Sequence, residues 1–394
     1  MNNWKKIKIE EVCSFINGYA FDSNKYVQNG IQVIRITNVQ KGYISDTDKK
    51  FYKEEKELER YKLIEGDLLI SLTGNVGRVG VIKSENLPAY LNQRVSCVRI
   101  KNNNLLNKRF LFNFLNSDSF EKTCIKNSKG IAQKNISTVW LREIKIPLPP
   151  MEEQKKIAAR LDAVSDLLAK QKQLLSEQDN LIQSLFYDMF GDPLLNTNGY
   201  LLKYFDEIFS RIKNGANIKQ SKLKNGLPIT RIETISNYSV NRNRMGFAGI
   251  NDIANYLEYE LQDNDILISH INSLSHIGKS ALYRKTPGEK IIHGMNLLCL
   301  RPIQSKVNPL YIKHLFKTSY FKKKILSITK PAVNQASFTV SDFKKLTFPL
   351  PPFELQQKFA AVAEQIESEK SKIKSAIAET QTLFNALMAE YFEE

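Results

Sequence analysis

Two long stretches of the chain carry apolar residues at alternating steps of four and three. The first series runs from Ile157 to Met189, and the second runs from Phe359 to Tyr391 in the same register. A period of 3.5 residues kept over more than four heptads is typical of a coiled-coil seam. The pattern predicts helices over about 150–190 and 352–392. The predicted interface comprises Ile157, Leu161, Val164, Leu168, Leu175, Ile182, Leu185, Phe359, Ile366, Ile373, Ile377, Phe384 and Leu387.

Polar residues interrupt both seams, and they do so at different levels. Gln171 and Gln178 fall in the first seam, whereas Lys370 and Thr380 fall in the second. Such interruptions can specify partner and register at some cost in stability. We expect the two helices to pair with each other in antiparallel orientation and to hold the segments before them apart. The alternative is that each helix simply packs on its own lobe. A helix of about 40 residues is roughly 60 Å long, which is longer than packing on one lobe requires.

The sequence contains an internal repeat that spans both halves of the chain. "IPLPPMEEQKKIAARLD" begins at Ile146 and "FPLPPFELQQKFAAVAE" begins at Phe348, and 15 of the 45 positions from Ile146 are identical at a shift of 202. Upstream, "GDLLISLTGNVGRVG" (66–80) matches "NDILISHINSLSHIG" (264–278). A repeat of this length predicts two copies of one domain. We assign lobe 1 to residues 1–146, the central helix to 147–192, lobe 2 to 198–348 and the C-terminal helix to 349–394.

Each lobe has the pattern of a mixed α/β domain. "IQVIRITNV" (31–39) and "DLLISLTG" (67–74) are rich in β-branched residues and predict strands, and the glycines of "GNVGRVG" (74–80) suit a hairpin or bulge. Residues 107–127 predict a helix capped by Asn107, and its counterpart begins with Asn308 followed by proline. The predicted fold class is therefore an α/β (α+β) tandem repeat, with two mixed α/β domains joined by two long helices.

The charge balance favours a polyanionic partner. Lys and Arg number 57 against 41 Asp and Glu, so the formal net charge is +16. A surplus of this size most often accompanies nucleic-acid binding, although a basic protein without such a partner remains an alternative. Four widely spaced cysteines, the lack of a long apolar run and a polar amino-terminal stretch predict a cytoplasmic protein with reduced thiols. The four histidines form no metal-ligand pattern.

Three short segments resemble catalytic or cofactor-binding motifs, but each lacks a feature that its motif requires. "SLSHIGKS" (273–280) has serine where a phosphate-binding loop needs its first glycine. "GNVGRVG" lies within a strand pattern, unlike a dinucleotide fingerprint. "LPPF" (350–353) resembles the motif of amino-methyltransferases, but Leu350 offers no acceptor for the target amine. We therefore expect no active site, no metal and no cofactor bound by this chain.

Polar and basic residues cluster at the predicted tips of both lobes. Arg, Asn and Gln can make bidentate contacts to base edges, while Lys, Ser and Thr suit phosphates. Any one of them read alone is more simply a solvated loop residue, but the cluster predicts a DNA-contacting surface. The candidates are Arg35, Asn38, Ser71, Thr73, Asn75, Arg78, Asn92, Gln93, Arg94, Lys129, Gln133, Lys134 and Asn135 in lobe 1, and Arg231, His270, Asn272, Ser273, Lys279, Lys330, Asn334, Gln335 and Ser337 in lobe 2.

The whole chain resembles the specificity subunit of type I restriction–modification systems. The residues that carry the resemblance are the two "PLPP" runs with Gln154 and Gln356, the helix end "LFYDMFGDP" (185–193), and the paired "LLIS…G" and "AQKNIS"-like segments. The resemblance implies two target-recognition domains, each reading half of a split, asymmetric DNA site. It also implies an antiparallel coiled coil that sets the spacer and docks two modification (methyltransferase) subunits. Lobe 2 departs where "GNVG" becomes "NSLS", so glycine-dependent contacts do not carry over to it.

The same resemblance places the chemistry in partner subunits. S-adenosylmethionine-dependent adenine methylation would belong to the modification subunits, and ATP- and Mg-dependent cleavage to the restriction subunits. Two other classes stay open on sequence alone. One is a stand-alone DNA-modifying enzyme such as a fused methyltransferase, against which the missing catalytic motifs argue. The other is a non-catalytic coiled-coil adaptor, against which the basic charge and the large lobes argue.

Overall fold

The computed structural model describes residues 4–130, 134–220, 223–236, 238–332 and 335–393. The chain forms two compact units. The first unit contains Met1–Lys172 and Ser375–Glu394, and the second contains Gln173–Lys374. Each unit therefore combines one lobe with the first part of the helix that leaves it and the last part of the other long helix.

The two long helices match their predicted spans closely. They are Met151–Phe190 and Phe353–Phe392. Each begins directly after the last proline of its "PLPP" run, so the prolines precede the first turn and do not stand within it. The free carbonyl of Pro150 accepts the N–H of Gln154 at 3.0 Å, which starts the helical hydrogen-bond ladder. Proline suits this place because the first helical N–H groups have no partner within the helix.

Within each unit, the two helix segments pair in antiparallel orientation. In the first unit Arg160 Nη1 donates to Tyr391 Oη at 3.1 Å, and Gln171 Nε2 donates to Thr380 Oγ1 at 3.2 Å. In the second unit Lys370 Nζ lies 2.6 Å from Asp179 Oδ1. Residue numbers rise along one helix as they fall along the other, which is the predicted orientation. Every predicted seam position is buried or half-buried.

Both lobes are built on the same four-stranded antiparallel sheet. In lobe 1 the strand order is Cys13–Asn17, Val95–Ile100, Leu68–Ser71 and Val79–Val81. In lobe 2 it is Phe209–Asn214, Leu297–Pro302, Ile266–Ser269 and Ser280–Leu282. The other strands are Lys6–Lys8, Ile31–Ile34, Phe51–Tyr52, Ala89–Leu91 and Lys145–Pro147 in lobe 1, and Leu202–Tyr204, Pro228–Ile229, Ile235–Ser236, Ser239–Val240, Gly246–Phe247, Ile271–Asn272, Lys330–Pro331, Ala336–Ser337 and Thr347–Pro349 in lobe 2.

The region predicted as one helix over 107–127 is two helices. They are Lys108–Leu115 and Asp118–Asn127, and Ser117 between them accepts the N–H of Phe120 at 3.1 Å as a new N-cap. Lobe 2 repeats this break with Pro309–Leu315 and Ser319–Ile328. A serine inside an apolar pattern reads equally well as an exposed helical position, so the break was not visible. The predicted caps Asn107 and Asn308 are confirmed. Short helices complete the lobes at Ile9–Val12, Thr138–Arg142, Phe205–Ile208 and Val340–Lys344.

The glutamine of each "PLPP" repeat ties its long helix to its lobe. Gln154 is fully buried; its Oε1 accepts the N–H of Asn107 at 2.8 Å, and its Nε2 donates to the carbonyls of Leu105 and Pro149. Gln356 does the same in the second unit, accepting from Asn308 at 2.9 Å and donating to the Pro351 carbonyl. The glutamine thus satisfies the N-cap residue of the first lobe helix, which explains why it stands in both copies.

Replacing Gln154 with alanine is expected to lower the free energy of unfolding of the first unit by about 1–3 kcal/mol, because buried backbone groups lose their partners. Denaturant titration of the full chain measures this loss. Gln173→Ala is the matched control, since Gln173 is exposed and bonds Glu177 on the same helix; it should change stability by less than about 0.5 kcal/mol. Equal losses in the two variants would contradict the proposed tie.

Aromatic residues anchor the end of each long helix in a lobe core. Phe190 packs against Phe359 and Tyr311, with ring centroids 5.3 and 4.9 Å apart. Its repeat counterpart Phe392 packs against Phe110 at 5.4 Å. These rings join the main core of each unit, and so the helix ends fold together with the lobes. None of the helices in the described part of the chain has the length and apolar character that a membrane span requires.

Candidate nucleic-acid interface

Three loops of lobe 1 that are distant in sequence meet at one place. The Leu72 N–H donates to the Arg94 carbonyl at 3.0 Å, the Gly74 N–H to the Lys134 carbonyl at 2.9 Å, and the Ile136 N–H to the Leu72 carbonyl at 2.9 Å. These bonds join the hairpin after Leu68–Ser71 to the loops at 92–94 and 134–136. The exposed candidates on this surface are Asn75, Gln93, Arg94, Lys129, Lys134 and Asn135.

Three lobe 1 candidates are buried, and this corrects their assignment. Asn38 is fully buried and holds a turn, accepting the Arg35 N–H and donating to the carbonyls of Ser45 and Thr47. Ser71 is 1% exposed and accepts the Arg78 N–H within the hairpin. Asn92 is 7% exposed, and its Oδ1 accepts the Arg94 N–H at 3.2 Å. Their hydrogen bonds shape the loops, so we leave them out of the proposed interface.

Two half-buried arginines of lobe 1 are held by neighbours. Arg35 Nη2 lies 2.7 Å from Asp48 Oδ2, and this contact lowers the pKa of the exposed Asp48 carboxyl. Arg78 Nη1 donates to Gln40 Oε1 at 2.7 Å. The role of Gln40 as the partner of Arg78 could not be predicted from the sequence, because the two residues are 38 positions apart. A guanidinium held on one side keeps donors on the other, so both arginines remain candidates. Thr73 is half-buried and donates to Asn135 Oδ1 at 3.3 Å.

Lobe 2 assembles an equivalent surface. Strand Ile271–Asn272 pairs with Ala336–Ser337, which pairs in turn with Lys330–Pro331. The bridge between Thr73 and Asn135 in lobe 1 occupies the corresponding place. The candidates that this arrangement leaves exposed or half-exposed are Arg231, Asn272, Ser273, Lys279, Lys330, Gln335 and Ser337. Two further candidates, Gln133 and Asn334, lie outside the described residues.

The burial of His270 corrects its assignment to the DNA-contacting surface of lobe 2. Its side chain is 6% exposed and packs near the ring of Phe338. Burial lowers the pKa of His270 to about 4, so the ring is neutral at physiological pH. A neutral imidazole adds no positive charge to the surface that attracts DNA, and His270 lines neither of the two cavities described below, so we leave it out of the proposed interface.

A cavity of about 310 Å³ at the lobe 2 surface adds residues that the sequence analysis missed. Arg244, Glu233 and His276 line it together with Asn272 and Lys279. The basic run "NRNR" (241–244) was the available signal for Arg244. The lining offers both donors and acceptors, which is what the reading of base edges requires. Among the described residues, no group of three or more His, Cys, Asp or Glu side chains is placed to hold a metal ion.

A family model matches the chain twice. Its description is "Type I restriction modification DNA specificity domain", and it covers residues 1–177 and 203–380. The putative type I restriction enzyme MjaX specificity subunit of Methanocaldococcus jannaschii is 42% identical over 164 residues, which are 41% of this chain and 38% of that protein. The type I restriction enzyme EcoKI specificity subunit of Escherichia coli K12 is 22% identical over an alignment of 414 positions, which covers 99% of this chain and 88% of that protein.

Solved structures share the fold over the full chain. The type I restriction–modification system S subunit from M. genitalium has a TM-score of 0.62 at 16% identity, covering 100% of this chain and 98% of that one. A chain from a structure that addresses complex assembly and conformational transition of the type I R–M system has a TM-score of 0.56 at 18% identity, covering 100% and 98%. At these identities the likeness concerns the fold.

Proposed function

The chain belongs to the family of type I restriction–modification DNA specificity subunits, and we propose that each of its lobes reads one half of a bipartite, asymmetric DNA site. The single observation that supports this division is that the two lobes share the same sheet but carry different side chains at its loop tips. Thr73 and Asn135 of lobe 1 correspond to Ile271 and Ser337 of lobe 2, which lie at the same bridge of the same fold. Arg94 corresponds to Asn296. Equal scaffolds that carry different base-reading side chains would recognise different sequences.

The long helices are proposed to set the spacer between the half-sites and to dock two modification subunits. Their paired faces bury the seam, while Leu174 and Leu181, seven residues apart on the first helix, are 43% and 51% exposed. Exposed leucines at heptad spacing suit a further helix or an apolar partner surface. A solved relative is described in terms of the assembly of a type I R–M complex.

In this proposal the chain itself is not catalytic and acts in the cytoplasm on cellular DNA. S-adenosylmethionine is held by the modification subunits, and ATP with Mg by the restriction subunits. The chain contributes sequence recognition, and its basic surplus provides the attraction that brings the complex to DNA.

DNA binding by the complex with modification subunits tests this function. The site is first obtained by mapping methylated adenines in the host genome. Affinity is then measured for duplexes with the site, with single mismatches and without the site, over a range of salt. The complex should favour its site by about 10³-fold or more. Equal affinity for all duplexes would contradict the function.

Two lobe 1 variants refine the test. Lys134→Ala should weaken binding to all sequences equally and reduce the salt slope by about one unit, because the exposed Lys134 suits a phosphate contact. Arg78→Ala should cost about 1–3 kcal/mol on the recognised site and relax one position, with non-specific binding unchanged. If both variants match the unaltered protein at every salt concentration, neither residue belongs to the interface.

A further inference from the structure

A second, larger cavity in the second unit lies beside the lobe 2 surface. Its volume is about 410 Å³. Phe186 of the first long helix forms part of one wall, and His314 and Lys317 come from the helical region of lobe 2. Tyr238 and Lys279 also line it. Lys279 lines the 310 Å³ cavity as well, so the two cavities are neighbours along one surface.

One wall of this cavity holds a buried polar atom without a partner. His314 is 5% exposed, and its Nε2 has no hydrogen-bond partner among the described residues. Its ring stands edge-on to Phe359 at 5.4 Å. Burial lowers the pKa of His314 to about 2, so the ring is neutral. A neutral imidazole can present an N–H from Nε2, and a buried group of this kind normally has a partner. His314 Nε2 therefore needs a partner from outside the described residues, either a ligand or a water molecule.

Two lysines, Lys317 and Lys279, and one carboxylate, Asp179, line the cavity. Lys317 lies in the turn between Pro309–Leu315 and Ser319–Ile328, with Nζ 5.6 Å from the centre of the Tyr238 ring. Within the described residues, neither Lys317 nor Lys279 forms an ion pair. The nearby carboxylates are already engaged: Asp179 lies 2.6 Å from Lys370 Nζ.

Glu367 is engaged as well, at 3.0 Å from Lys313 Nζ and 3.3 Å from Lys370 Nζ. The two lysines form no ion pair among the described residues and line the same cavity as the imidazole of His314, and this donor set suits an anion with several oxygens. The rings of Phe186 and Tyr238 form the apolar part of the lining.

We propose that this cavity binds a phosphate group of the DNA backbone beside the half-site that lobe 2 reads, with Lys317, Lys279 and His314 Nε2 as its donors. The inference rests on the proposed function, because it extends the DNA surface of lobe 2 from Asn272 and Lys279 towards the helices. The contact carries no sequence information; it fixes the position of the lobe on the duplex.

The first test compares Lys317→Gln with Lys323→Gln in the full chain assembled with modification subunits. Lys323 is exposed on the next helix and does not line the cavity, so it is a matched loss of charge. Lys317→Gln should weaken binding to specific and non-specific duplexes alike by about five- to tenfold and reduce the salt slope by about 0.9. Lys323→Gln should leave both quantities near those of the unaltered protein.

The second test uses pH, and it decides the matter if Lys317→Gln does not fold. Burial, followed by the charge of Lys313, lowers the pKa of Lys317 to about 8. A bound phosphate raises that pKa, so the affinity is complete below pH 8 and is lost as pH rises through the pKa of the complex. DNA affinity should fall about tenfold from pH 7 to pH 9, whereas Lys317→Arg should keep its affinity at pH 9. The groups around Lys317 are Lys313, Lys370, Glu367, Asp179, His314 and Tyr238.

The outcomes separate this inference from the function on which it rests. If the unaltered complex discriminates its site but Lys317→Gln behaves like Lys323→Gln, the inference is wrong and the function stands. If the unaltered complex does not discriminate, the function fails and the inference with it. Inorganic phosphate is the third arm: if it raises the melting temperature of the unaltered chain but not of Lys317→Gln, while DNA binding is the same in both, the cavity takes free phosphate and the DNA assignment is wrong.

Discussion

Exchanging residues 198–346 for the equivalent lobe of a relative with a different recognition site is expected to replace one half-site completely and leave the other unchanged. The lobe has its own sheet, and its first strand, Leu202–Tyr204, pairs with Thr347–Pro349 by backbone bonds that do not depend on side chains. At about 1–3 kcal/mol for each altered base pair, three differences weaken binding to the original site by more than about a hundredfold.

Methylome sequencing of cells that carry the chimaera measures this result directly. The donor should keep aromatic residues at Phe205 and Tyr311, because Phe205 stacks on Phe348 at 4.9 Å and Tyr311 lies against Phe190. The control is the reciprocal exchange of residues 1–146, which should alter only the other half-site. Changes in both half-sites from a single exchange would show that the lobes do not read DNA independently.

Phe190→Ala is expected to produce the largest loss of stability among single substitutions considered for this chain, about 3–5 kcal/mol in the second unit. The ring is 4% exposed and contacts Phe186, Tyr311 and Phe359 with centroids 4.9–5.3 Å apart. Its removal forfeits the burial of a large aromatic side chain and leaves a cavity that rigid neighbours cannot close.

Denaturant unfolding of the full chain, with hydrogen exchange to assign the loss to the second unit, measures this effect. Leu181→Ala on the same helix is the matched control, because Leu181 is 51% exposed and should change stability by less than about 0.5 kcal/mol in the isolated chain. A loss below about 1 kcal/mol for Phe190→Ala would show that the helix end is not anchored in the lobe core.

The sequence by itself was enough to predict the internal repeat, the two long helices and the antiparallel pairing of these helices. These features depend on local periodicity, which the backbone geometry of a helix converts directly into a buried face. Gln171 and Thr380 illustrate this: both stand in the predicted seams, and they bond each other across the pair. The caps Asn107 and Asn308 were also visible, because capping needs only residues within one turn.

Tertiary structure alone decided where the long helices end their pairing. Heptad spacing predicts Leu185 and Met189 as the buried positions at the end of the first long helix. In the structure Phe186 and Phe190 are buried more deeply, because a second face of the last helical turns packs against a lobe. The period describes one apolar face, and it carries no information about a second neighbour. The roles of Gln154 and Gln356 were hidden for the same reason, since their partners lie about 48 residues away in sequence.

The candidate interface divides along the same line. Arg94, Lys134 and Asn135 are candidates from the sequence that are exposed together in the structure, because turns tend to lie at the surface. Asn38 and His270 are equally polar candidates, but both are buried. Whether a polar side chain faces solvent or satisfies a buried backbone group depends on hydrogen-bond partners supplied by the rest of the chain, and only the folded structure brings those partners within reach.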